Sequence, residues 1–180
     1  MSKEKPPIMQ KVDEERTLTQ KIMKLVPGWR GYRIKEERRN ADRILRDQLA
    51  TRLSHTQETI KDIRKAAVDA GLENAYTAIE SLTSRTERLI SSISHADYGY
   101  RPYFDEIKIK EDDLMNMLRF DTWFVEQVQE FDRVATEAVD NVAEDSATAL
   151  KQIKDLGRMV TEMIGKWKSR TDVIMGVQPV

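Results

Sequence analysis

The chain has 180 residues, 34% charged and 39% hydrophobic, with 30 Lys/Arg against 31 Asp/Glu. That length suits one domain, and the near-neutral total excludes a global electrostatic pull toward nucleic acid. The absence of Cys excludes disulfides, zinc fingers, iron–sulfur clusters and thiol nucleophiles together, while 7 Gly and 5 Pro leave few turns and favour long helices.

Residues 1–7 read as a flexible, Pro-containing lead-in. The N-terminal run 1–16, MSKEKPPIMQKVDEER, lacks the unbroken apolar core of a signal peptide, and no stretch reaches the roughly 18 apolar residues of a membrane span. A cytoplasmic location is therefore expected, with a peripheral membrane contact as a variant. A first helix is predicted over 8–26, with Ile8, Val12, Ile22 and Val26 on one stripe and Leu18, Met23 and Leu25 beside it. Pro27-Gly28 ends it, and Pro27-Gly28-Trp29-Arg30-Gly31-Tyr32 forms a linker with two Gly and two aromatics.

The second helix is predicted over 33–70, where no Gly or Pro occurs. From Leu49 its apolar positions run Leu53, Thr56, Ile60, Ile63, Ala67 and Ala70, in the alternating steps of four and three that mark a heptad. Gly71 suits the residue after a helix end. A third helix, predicted over 72–97, repeats the pattern at Ala75, Ile79, Leu82, Thr86, Leu89, Ile93 and Ala96. Two such helices with a short link read as an antiparallel hairpin. The first arm is longer by some 12 residues, so it should overhang by about 18 Å. The overhang, about 33–45, starts at the Trp29–Tyr32 linker. The second arm runs into Tyr98-Gly99-Tyr100-Arg101-Pro102-Tyr103-Phe104, so the hairpin brings two aromatic segments to one end. Residues 98–110 are expected to run extended along the overhang, with Ile107 and Ile109 inward.

Glu111-Asp112-Asp113 suits the positive end of a helix dipole and opens a helix predicted over 111–141. Its stripe is Met117, Phe120, Phe124, Val128, Phe131, Ala135, Ala138 and Val142, with Leu114 and Trp123 beside it. A last helix, predicted over 144–172, carries Leu150, Ile153, Gly157, Val160, Ile164 and Trp167. The junction at 141–146 lacks Gly and Pro, so one continuous bent helix is an alternative. Residues 173–180 read as a flexible tail. The fold class is all-α: one domain over 8–172, an elongated bundle of four or five helices with coiled-coil-like packing, built on an unequal antiparallel hairpin.

Charge is distributed unevenly. Residues 28–65 hold 11 Lys/Arg against 6 Asp/Glu; residues 111–145 hold 2 against 11; residues 151–170 hold 6 against 2. Compensation between helices of one bundle explains this most simply. In the overhang, Glu36, Glu37, Asp42 and Asp47 interleave with the arginines as i,i+4 partners, which weakens a nucleic-acid reading.

Little points to catalysis. Neither His55 nor His95 follows a Glu at the spacing a di-metal bundle needs, no phosphate-cradling or nucleophile-elbow motif occurs, and no carboxylate stands in an apolar run. No metal, cofactor, small-molecule substrate or catalytic residue is assigned. Half of the twelve aromatics fall in the two loops. They read as a cap on the bundle end or, with their arginines, as an interaction surface of Trp29, Arg30, Tyr32, Arg38, Arg39, Tyr98, Tyr100, Arg101 and Tyr103.

Pro27-Gly28-x-x-Gly31-Tyr32 with Glu36, Arg38, Arg39, Asp42, Leu45 and Arg46, and Asp97-Tyr98-Gly99-Tyr100 with Phe104-Asp105 and Lys108-Ile109-Lys110-Glu111, form two signatures. Together they resemble an uncharacterised family of small all-helical prokaryotic proteins, over about residues 20–120. The resemblance carries no activity; it implies only that the matching positions share the two loops. The expected function is a non-enzymatic protein-interaction or scaffolding role, through a protein partner or self-association. One alternative is anionic-membrane binding through the first helix, with Ile8, Val12, Ile22, Val26, Lys11, Lys21 and Lys24 toward lipid. A second is nucleic-acid association through the basic overhang.

Overall fold

A computed structural model describes residues 7–32, 34, 37–96 and 111–174. The described residues fold as an all-α bundle. Helix α1 is Pro7–Leu25, α2 Arg38–Asp69, α3 Tyr76–Ser94, α4 Glu111–Glu144 and α5 Ser146–Ile174, with a 3-10 turn at Glu73–Ala75 leading into α3. The expected course of 98–110, including Ile107 and Ile109, lies outside the described residues, as do 1–6 and 175–180.

The heptad stripes become the core. Leu49, Leu53, Thr56, Ile60, Ile63 and Ala67 of α2 are buried, and so are Ile79, Leu82, Thr86, Leu89 and Ile93 of α3. All eight stripe residues of α4, Met117 to Val142, are buried too. The buried ridge of α5 is Ala149, Ile153, Leu156, Val160, Met163 and Trp167, a strict four–three repeat. It corrects the predicted stripe: Leu150, Gly157 and Ile164 flank the ridge half-buried.

α2 and α3 form one antiparallel hairpin, and α4 and α5 a second. The hairpins lie side by side, α2 against α4 and α3 against α5. The helices that face each other across the hairpins run parallel. Arg85 of α3 reaches Thr161 of α5 (2.8 Å), and Trp167 Nε1 donates to the Ser92 carbonyl (3.3 Å) further along both. α4 and α5 are separate helices. A single residue, Asp145, divides them, and it caps α5 by accepting from the Thr148 backbone N–H (3.1 Å) and hydroxyl (2.6 Å). These bonds hold the Asp145 carboxyl below its ordinary value of 3.8.

α2 begins at Arg38, not at 33, and its 32 residues outrun the 19 of α3. The excess is not an exposed overhang. Ala41, Asp42, Leu45 and Arg46 are buried there, because α4 and α5 both extend past the end of α3 and cover them. α1 packs on α4, running parallel to its first half. Lys11 pairs with Asp112, Glu14 with Arg119 and Lys21 with Glu126, in that order along both helices.

Candidate functional site

The linker after α1 must double back, since Leu25 lies beside Arg52 (Nη2 to the Leu25 carbonyl, 2.8 Å) whereas α2 starts at Arg38. Gly28 (φ 83°) and Gly31 (φ 95°) make the reversals in left-handed backbone that side-chain-bearing residues disfavour. The path turns Trp29 and Tyr32 inward, at 1% and 2% exposure, with their rings edge to face 5.3 Å apart.

Tyr32 opens a chain of buried polar groups. Its hydroxyl donates to Asp121 Oδ2 at 2.7 Å. Arg170 donates to the same carboxylate through Nε (3.1 Å to Oδ1) and Nη2 (3.3 Å to Oδ2). Arg170 Nη1 stands 2.7 Å from Asp42 Oδ1, and Arg46 Nε donates to Asp42 Oδ2 at 2.9 Å. The order is Tyr–Asp–Arg–Asp–Arg, drawn from the linker, α4, α5 and α2. Two carboxylates balance two guanidiniums, and all four side chains are at most 3% exposed. Burying one such charge alone would cost several kcal/mol, so the alternation is what makes the cluster tolerable. Arg170 also lies over the Trp167 ring, 5.0 Å from its centroid. Arg38 closes the linker by donating to the Tyr32 carbonyl at 2.7 Å.

Burial shapes the protonation of this chain. It pushes the Asp121 carboxyl above its ordinary 3.8, and Arg170 and the Tyr32 hydroxyl only partly oppose it. Burial, followed by the Asp121 charge, raises the Tyr32 phenol well above 10.0. Tyr32 therefore stays a neutral donor. The oxygens of Asp121 are engaged by partners, and the cleft beside Tyr32 is small, about 50 Å³. The geometry is that of a clamp joining linker, α2, α4 and α5 rather than of a proton-transfer site.

The residues expected at an interaction surface divide. Trp29 and Tyr32 are interior, because the linker folds under the bundle end; this corrects their placement on a surface. Arg30 and Arg39 are exposed, and Arg38 is half-buried against the linker. Tyr98, Tyr100, Arg101 and Tyr103 lie outside the described residues. The residues expected to face lipid divide as well. Ile22 and Val26 are buried against the bundle, which corrects their assignment, and Lys11 and Lys21 pair with α4. Val12 is 54% exposed and Lys24 is exposed, while the Ile8 side chain lies outside the described set. In the basic stretch of α2, Arg46 is interior and Arg43 pairs with Asp47.

Asp42, Arg46, Asp121 and Arg170 were not singled out as buried by sequence reasoning, though a signal exists. Read backward from Leu53 and Leu49, the heptad lands on Arg46 and Asp42; read forward from Met163 and Trp167, it lands on Arg170; and between Met117 and Phe124 it lands on Asp121. Charged residues of both signs at core positions, in equal number, announce a buried pair.

The chain matches no family model, no curated protein and no solved structure. Among the described residues no group of His, Cys, Asp and Glu could hold a metal ion, and no helix is long and apolar enough to cross a membrane.

Proposed function

We propose that this chain is a non-enzymatic interaction or scaffolding protein of the cytoplasm, which presents the arginine-rich end of its bundle to a protein partner or to another copy. The observation that carries the reading is how arginines divide at that end. Arg46 and Arg170 are consumed inside the clamp, while Arg30 and Arg39 stand exposed on the backbone that the clamp fixes. Arginine is enriched at interface hot spots, and a surface held rigid before binding loses little entropy on docking. No comparable observation favours the lipid reading, since its residues Ile22 and Val26 are spent on the bundle.

Cross-linking in native extract tests this. The wild-type chain is expected to give a discrete adduct that the Arg30→Glu/Arg39→Glu variant loses. Unfolding should shift by no more than about 0.5 kcal/mol, as for other surface substitutions. An adduct pattern identical in both proteins, or no adduct from either, would refute the reading.

A further inference from the structure

Away from the clamp, parallel helices α3 and α5 part over an open hollow of about 580 Å³. Its floor is apolar, with Leu82 and Ile153 buried beneath it. Gly157 of α5 lies in its lining, and a Cβ built there would meet nothing within 4 Å, so the space over it is open. The rim is basic. Arg85 lies across the groove, donating to Thr161 Oγ1 at 2.8 Å and toward the Gly157 carbonyl at 3.4 Å. Arg85 and Lys154 form no ion pair among the described residues, Arg158 pairs along its own helix with Asp155, and Glu162 is the one carboxylate of the lining.

We propose that this groove docks an acidic amphipathic helix of a partner protein. Apolar side chains spaced i, i+3/i+4 would fill the Gly157 hollow, and flanking carboxylates would meet Arg85, Lys154 and Arg158. Charge complementarity selects the occupant, and the apolar floor sets it apart from nucleic acid. A second copy is a poor occupant. Its acidic helix, α4, turns its apolar stripe into its own core, so its outer face offers carboxylates without anchors. This surface is separate from the arginine-rich end, and either proposal can fail without the other.

The test is selection of a phage-displayed library of random peptides about 16 residues long on the full chain, a length that as a helix of about 24 Å spans the groove. Enriched sequences are expected to be acidic with helically spaced apolar residues. In fluorescence polarisation the leading peptide should bind saturably and weaken at least about tenfold with Lys154→Glu and with Gly157→Leu. Gly157→Leu fills the hollow and, removing a helix glycine, should not lower stability. Arg30→Glu/Arg39→Glu should leave this binding unchanged. No enrichment, a basic or purely polar consensus, or binding indifferent to both groove variants would overturn the proposal. So would sedimentation showing a dimer that Gly157→Leu abolishes, since the occupant would then be a second copy.

Discussion

Arg170→Met is expected to lower the unfolding free energy by about 3–5 kcal/mol, the usual cost of leaving buried charges without their partner. Arg170 is the centre of the clamp and only 1% exposed. Without it Asp42 keeps Arg46, but Asp121 keeps the Tyr32 hydroxyl alone. The deficit should narrow on acidification. Burial already raises the Asp121 carboxyl in the folded chain, and losing Arg170 raises it further, whereas the unfolded carboxyl titrates near 3.8. The folded variant thus holds its proton at a pH where the unfolded chain has lost it. Stability is fully present below the unfolded value and falls as pH rises through the folded one. Urea denaturation at two pH values checks both the size and the sign. Replacing the whole chain of groups by Tyr32→Phe, Asp42→Leu, Arg46→Met, Asp121→Leu and Arg170→Met should recover most of the loss, because no buried charge remains.

Trp29→Ala is expected to cost about 3–5 kcal/mol, as large aromatic truncations in cores do. The ring is 1% exposed and packs edge to face on Tyr32, so its loss opens a cavity under the linker and frees the phenol that caps Asp121. Trp29→Phe should cost much less, because Trp29 Nε1 donates to no described residue. Thermal unfolding of the two variants separates a buried cap from a surface anchor. An anchor would leave stability within about 0.5 kcal/mol in both.

Most of the architecture was legible because heptad spacing depends only on which positions are apolar. The stripes of α2, α3 and α4 could be read from that rule alone, and the structure buries them except at the hairpin ends, where Ala70 is exposed and Ala96 half-buried. The ridge of α5 was misread because Leu150, Gly157 and Ile164 form a rival stripe one residue along, and packing against both α3 and α4 chose Ala149, Leu156 and Met163. The junction at Asp145 carried no Gly or Pro, but an Asp three residues before Thr148 is a cap signal that could have marked it. The overhang was inferred from unequal arm lengths; lengths cannot say which helices cover the excess. At the bundle end the aromatic linker stands out in the sequence, which leaves its cap role and its surface role both open. Its burial follows from the course of the chain between two glycines, which no local pattern specifies. The clamp was hidden for a different reason: Asp42 and Arg46 at i,i+4 look the same in sequence whether solvated or buried, and their partners Asp121 and Arg170 are far along the chain.

A dry, paired clamp ties the linker to α2, α4 and α5, and proton-exchange NMR of the arginine Nε–H groups reads that state directly. Arg46 and Arg170 Nε–H are each bonded to a buried carboxylate, whereas the Arg158 side chain is 79% exposed. Two Nε–H signals that exchange much more slowly than the rest are predicted, with one of them lost in Asp121→Asn. Uniformly fast exchange across all arginines would mean that water reaches the charges, and it would contradict the clamp.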